Sequence, residues 1–206
     1  ILSQLFTIPP FGYFGDTMGG TMGYADGVFT ERAFIPVGKG RGSTATIFKQ
    51  DGAYQEALAM APLNSIFVFA AQVDTEAAAD MVTELLPEWA ADVATGLLAA
   101  SDGNVCLFSS QGISLSTVYR YYENFPVGLV VGISDNTVAQ QVIIDLLVET
   151  SDGRDGVQTY RGVDIRPLGS GCLLAVLEDR VIFGFSSEMV RSAIDVAMDG
   201  TGGVQP

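Results

Sequence analysis

The sequence contains no histidine. That absence excludes His-based triads and dyads and histidine-ligated zinc, because no imidazole is present to act as base or as ligand. Cysteine is nearly absent as well: Cys106 and Cys172 are the only two, too few for a four-thiolate metal site. Basic residues are scarce, with 10 Lys and Arg against 24 Asp and Glu, and the only lysines are Lys39 and Lys49. The net charge of −14 and pI near 4.1 create a field that repels phosphate backbones, which argues against nucleic acid as a partner. Long apolar runs are missing too. Even the stretch from Cys172 to Phe185 is cut by Glu178-Asp179-Arg180, so nothing approaches the ~18 residues that a membrane span requires.

Several motifs are also absent. No Gly-x-Gly-x-x-Gly follows a strand, and there is no Gly-x-Ser-x-Gly elbow. Gly38-Lys-Gly-Arg-Gly-Ser lacks the residue order of a phosphate-cradling loop and reads as a linker or long turn. Ser151-Asp-Gly-Arg-Asp-Gly lacks the Asp-x-Asp-x-Asp-Gly spacing and the distal Glu of a calcium loop, so it reads as a plain turn. No cofactor, metal or catalytic residue is expected. A carboxylate pair is the remaining route to hydrolase chemistry, but nothing in the sequence brings two carboxylates together.

What is present is a chain with 48% hydrophobic residues and 206 positions, enough to bury roughly 70% of its unfolded surface in one sizeable core or two small ones. Cys106 and Cys172 both fall in apolar, strand-like runs; unpaired buried thiols are the commoner state there, and a disulfide between them in an oxidising compartment is the alternative. Residues 1–42 form a Gly- and aromatic-rich strand segment, and 43–206 an α+β domain. In the first, the density of Gly and Pro precludes a regular helix, and Asp26-Gly27 is a hairpin turn leading into a strand from Val28 to Val37. Phe11, Tyr13 and Phe14 are candidates for a docking surface, though loop aromatics more often fold back on a core.

In the second segment, Asp51 to Ala61 reads as a short helix closed by Pro62. Ile66 to Val73 is a strand with apolar residues on both faces, which implies a central position in a covered sheet. Asp74 caps a helix carrying Met81, Val82, Leu85 and Leu86, interrupted at Pro87 and continued from Glu88 to Ala99. A strand follows from Asn104 to Ser110, set off by Ser101-Asp-Gly. Tyr119, Tyr121, Tyr122 and Phe125 make the densest aromatic cluster; a contact surface for a partner or ring is one reading, a cross-strand aromatic ladder the other.

After Pro126 the pattern recurs. An offset of 61 residues lays Ile66–Leu86 on Val127–Leu147, strand on strand and Asp74 on Asp135, giving strand-cap-helix units at about 64–110 and 126–199. The second unit continues with an alternating strand around Val163 and Ile165, a hairpin turning at Glu178-Asp179, and a helix capped by Ser186. Its buried face is expected at Met189, Val190, Ala193, Ile194 and Ala197, with an exposed Arg191–Asp195 pair and a stop at Gly200. The predicted class is α+β, a mostly antiparallel sheet covered by helices and built from recurring strand-helix-hairpin units.

The order strand, helix, Tyr160-Arg-Gly-Val-Asp-Ile-Arg, apolar strand, Glu178-Asp-Arg-Val-Ile-Phe-Gly-Phe-Ser-Ser-Glu and Ala-rich helix resembles the bacterial family known as domain of unknown function 3352. The phrase Ala61-Pro-Leu-Asn-Ser-Ile-Phe-Val-Phe looks like that family's recurrent start of a strand, and the resemblance covers about Gln50 to Gly200. It implies an exported or membrane-anchored protein of repeated α+β units, hence an extracytoplasmic location in the envelope, periplasm or cell surface, and carries no catalytic residues over. On this reading 1–38 is the tail of a preceding unit, and both ends of the sequence look processed.

The leading expectation is a non-catalytic envelope or surface module acting through protein contacts or self-association. A carrier of an apolar small molecule or lipid is the alternative, suggested by Met18, Met22, Met60, Met81, Phe67 and Phe69. A carboxylate-based hydrolase comes last.

Overall fold

The computed structural model describes residues 19–25, 28–34, 47, 54–85, 88–109, 127–149, 156–169 and 171–200. The chain divides into two compact units, Ile1–Phe48 and Lys49–Pro206.

In the first unit, strands β1 (Gly19–Ala25) and β2 (Val28–Phe34) pair antiparallel from Gly19↔Phe34 to Ala25↔Val28. The last pair leaves space for only two connecting residues, as the Asp26-Gly27 dipeptide predicts, although those two lie outside the described residues.

The second unit holds helix α1 (Tyr54–Ala59), strand β3 (Phe67–Gln72), helices α2 (Thr75–Leu85) and α3 (Glu88–Ala100), and strands β4 (Ser101–Ser109) and β5 (Gly128–Ile133). Then come helix α4 (Asn136–Glu149), strands β6 (Gln158–Tyr160), β7 (Val163–Gly169), β8 (Cys172–Val176) and β9 (Arg180–Gly184), and helix α5 (Ser187–Asp199). The seven strands form one antiparallel sheet in the order β3-β4-β5-β9-β8-β7-β6. The α+β class and the antiparallel, helix-covered sheet are therefore as the sequence pattern predicts.

Both faces of the sheet are covered because its central strands carry apolar side chains in both directions. On one face, Cys106, Phe108, Val130, Ile182, Ala175 and Ile165 pack with Met60 and Ala61, just after α1, and with Met189, Val190, Ala193 and Ile194 of α5. On the other, Val131, Ile133, Val181 and Leu174 pack against Ala100 of α3 and Ala139 and Ile143 of α4. Each fully buried aliphatic side chain contributes about 1.5–3 kcal/mol, so these two layers dominate the fold's stability.

Local signals act where they were expected. The Asp74 carboxylate accepts from the Ala77 backbone N–H at 3.1 Å, and Asp135 accepts from Val138 at 3.2 Å, the same cap at an offset of 61 residues. Ala78 and Ala139, one turn into the two helices, are both buried. The strands that feed these caps, β3 and β5, flank β4 and are both antiparallel to it. Ser186 accepts from the Met189 N–H at 3.2 Å to start α5, and Gly200, at φ 60°, ends it in the left-handed conformation that L side chains avoid. The Glu178-Asp179 turn closes with the Leu177 N–H donating to the Arg180 carbonyl at 2.9 Å.

Four expectations need correction. Strand β3 is not covered on both faces, since Phe67 and Phe69 are exposed, and among the described residues it pairs with β4 alone. An unbroken apolar run shows that a strand is apolar on both sides but not that both sides are covered. Strand β4 begins at Ser101, not Asn104: its register shifts between Ser101 and Val105, where Gly103 has φ 88° and the Asn104 N–H donates to the Asp102 carboxylate. Arg191 and Asp195 do not pair, because the β6–β7 hairpin supplies nearer partners for both. On α5 the buried residue of the last turn is Val196, with Ala197 half-buried.

Candidate docking edge

The residues singled out from the sequence separate into three groups. Phe11, Tyr13, Phe14, Tyr119, Tyr121, Tyr122 and Phe125 lie outside the described residues, as does the polar loop with Asp152 and Asp155.

Cys106 and Cys172 are both free thiols. They sit on β4 and β8, three strand positions apart, about 14 Å at the usual strand spacing, whereas a disulfide needs Cα atoms within about 7 Å. Between the two readings the sequence left open, the fold thus places unpaired thiols. Burial pushes the Cys106 thiol up to about 12, and burial also raises Cys172, so both are protonated and poorly nucleophilic at neutral pH. Among the described residues no group of three His, Cys, Asp or Glu side chains could hold a metal ion. Of the residues that suggested a carrier, Met60 is packed in the core while Phe67 and Phe69 are exposed.

Among the described residues, the two edge strands of the sheet are built on opposite principles. Strand β6 is three residues long and presents exposed Gln158 and Thr159. It joins β7 through Arg161, at φ 51°, and Gly162, at φ 84°, with Tyr160↔Val163 as the closing pair; two successive positive φ values mark a type I′ turn. A left-handed arginine is unfavourable by about 1–2 kcal/mol, and its contacts with α5 hold it there. The guanidinium donates to Asp199 at 2.6 and 2.9 Å and to Asp195 at 2.9 Å. The Tyr160 hydroxyl also donates to Asp195, at 3.0 Å, while Arg191 lies 5.3 Å from the centre of the Tyr160 ring and donates to Gln158. The Arg161 contact holds the Asp199 carboxyl below the usual carboxylate range, and the bond to Asp195 raises Tyr160. This edge is short, polar and clamped, which is how sheets blunt an edge against further strands.

Strand β3 has none of these devices. It is six residues long and contains neither Pro nor Gly, and the sequence from Ala57 to Val73 carries no charged residue. The approach to it is well ordered: the Ser65 N–H donates to the Pro62 carbonyl at 3.0 Å, and the Ile66 N–H donates to the Ser109 carbonyl at 2.7 Å, bringing the chain alongside β4. Val68 packs toward the α1 and α5 layer. Pleating therefore turns Phe67 and Phe69 to the other face, where they are 45% and 40% exposed. Ile66, 69% exposed, and Leu63, 66% exposed, extend the apolar surface along the turn. In the neighbouring strand, 103–109 is likewise uncharged.

An exposed apolar surface of this kind is suited to receiving an apolar side-chain surface. Sequence reasoning missed this surface because β3 looked covered on both faces; the usable signal was the charge-free run in so acidic a chain. No family model matches this chain, and neither a curated protein nor a solved structure matches it.

Proposed function

We propose that this protein is a non-catalytic module of the bacterial envelope or cell surface that works through protein–protein contact, as part of a larger assembly. The observation that carries this reading is the apolar surface at β3, with Ile66 and Phe67 exposed on an uncharged stretch of a chain with net charge −14. Exposing a contiguous apolar surface is unfavourable unless a partner covers it. The lack of histidine removes imidazole as a base, and burial keeps the Cys106 thiol protonated and so a poor nucleophile. The location follows from the resemblance of Gln50 to Gly200 to an exported family of repeated α+β units.

The reading is tested by placing a photo-crosslinking amino acid at Phe67 and irradiating intact cells of the native source. A covalent protein adduct at this position, with none from a crosslinker on β6 at Thr159, is the expected result. Absence of any protein adduct would overturn the proposal, as would a turnover by the purified chain that disappears when one Asp or Glu is replaced.

A further inference from the structure

We propose that the sheet face beneath α1 carries a calcium site, formed by the side chains of Glu56, Asp102 and Asn104. The site is independent of the contact-module reading and uses none of the residues of the exposed apolar surface.

It originates in the irregularity of β4. Between Ser101↔Ile133 and Val105↔Val131, three residues of β4 stand opposite Gly132 alone. The Ser101 hydroxyl accepts from the Gly103 N–H at 2.9 Å, the Asp102 carboxylate accepts from the Asn104 N–H at 2.8 Å, and Gly103 takes φ 88°. This extra length sets Asp102 and Asn104 on the same face of the sheet. Gly132 alternates with Val131 and Ile133, which face α3 and α4, so a side chain at Gly132 would point into the α1 and α5 layer. The Asp102 carboxylate takes that place: a Cβ at Gly132 would overlap its oxygens. Asn104, two positions before the core residue Cys106, reaches α1 in the same layer, where its Nδ2 donates to the Glu56 carboxylate at 3.3 Å. Asn104 thus touches both carboxylates, one through its backbone and one through its side chain.

Two observations point to a cation. Among the described residues neither Glu56 nor Asp102 pairs with an arginine or lysine, and Arg180, the cross-strand partner of Gly132, donates to Asp179 at 2.9 Å instead. Independently, Asn104 is 3% exposed and its Oδ1 is buried without a donor. Native folds seldom leave such an oxygen unsatisfied. Oδ1 and Nδ2 share one carbon, so this acceptor lies beside the Glu56 carboxylate, and a cation is the group that satisfies both. Every donor is a hard oxygen. Two carboxylates and an amide carbonyl suit calcium, which accepts irregular oxygen shells, better than magnesium, which demands a near-ideal octahedron, or zinc, which prefers nitrogen and sulfur. The set falls short of three acidic ligands, so water completes the shell and the affinity belongs to the weak class of ~10⁻⁴–10⁻³ M. Once bound, the ion ties α1 to the irregular end of β4.

The test is equilibrium dialysis of the 206-residue chain against radioactive calcium at constant ionic strength, with magnesium as competitor. One saturable site is expected, with a Kd of about 0.1–1 mM and magnesium at least about tenfold weaker. Glu56→Gln, at an exposed position of α1, and Asp102→Asn each weaken calcium at least about tenfold. Glu76→Gln, which removes the same charge from the exposed first turn of α2, leaves the affinity within about twofold. No saturable uptake up to about 10 mM calcium overturns the site and leaves water as the partner of the Asn104 oxygen. An affinity that Glu56→Gln leaves unchanged also overturns it, as does equal weakening by Glu56→Gln and Glu76→Gln, the mark of diffuse attraction to an acidic surface.

Discussion

Replacing Gly128 by Ala should destabilise the second unit by about 2–3 kcal/mol, although it is the mildest substitution a strand can receive. Gly128 faces Phe108 directly across the β4–β5 ladder, and the Phe108 ring lies over its Cα. A methyl at Gly128 would overlap the ring carbons Cζ and Cε1 and meet Cε2 at 3.0 Å. The ring cannot step aside freely, because Phe108 is 1% exposed and belongs to the layer shared with Val130, Ile182 and α5. Two responses remain: an off-rotamer ring, or a splayed ladder end, since Phe108↔Gly128 is its terminal pair. The second keeps the loss below the roughly 3–5 kcal/mol expected for removing a buried phenyl altogether. Urea denaturation measures the effect as a fall in midpoint at constant slope. The decisive comparison is with Phe108→Leu in a double-mutant cycle: the smaller side chain makes room for the methyl, so the double variant should be more stable than the sum of the singles by at least about 1 kcal/mol. Additivity within about 0.5 kcal/mol, or a neutral Gly128→Ala, would refute the ring-over-glycine account.

The caps, the charges and the thiols give three further expected outcomes. Asp74→Ala and Asp135→Ala should each lower stability by about 1 kcal/mol, and by similar amounts, because each removes one equivalent capping bond; denaturation midpoints check this, and a large difference between them would contradict the equivalence. Asp199 and Asp179 are both held below their ordinary value of 3.8 by neighbouring arginines, so the stability they contribute is fully present above about pH 4 and is lost as pH falls through their lower folded values; Asp199→Asn should flatten that acid limb of the stability profile, and an unchanged limb would refute the pairing. Cys106 should resist a thiol-specific reagent at about pH 8 until the chain is unfolded, and reducing agent should leave the folded protein's mobility unchanged; rapid native labelling of Cys106 would contradict its burial.

Much of the fold was legible in the sequence because it is set by short-range chemistry. Asp74, Asp135 and Ser186 each stand one position before an apolar helical pattern and can satisfy a free backbone N–H without help from distant residues. Gly200 ends a helix because it adopts φ 60° without the strain that Asp199 or Thr201 would meet there. The Glu178-Asp179 turn and the apolar β8 and β9 specify a hairpin locally, and the absence of histidine limits the available chemistry through composition alone.

Strand order was not legible, because it depends on which strands meet from distant parts of the chain. Strands β3 and β5 have similar apolar patterns, yet only β5 gains a second neighbour in β9 among the described residues, so similar local signals yield an edge in one case and a centre in the other. The same holds for charge. Arg191 and Asp195 have helical spacing for a pair, but the Arg161 turn brings a bidentate guanidinium and a tyrosine hydroxyl to Asp195 and Asp199 of α5 across a separation of 34 to 38 residues. Sequence alone determined the caps that start α2, α4 and α5 and the glycine that ends α5, since those depend on neighbours along the chain. Only the tertiary structure decided that Ile66 and Phe67, in the uncharged stretch before Asp74, are left exposed, because exposure is a property of what packs against a strand and not of the strand itself.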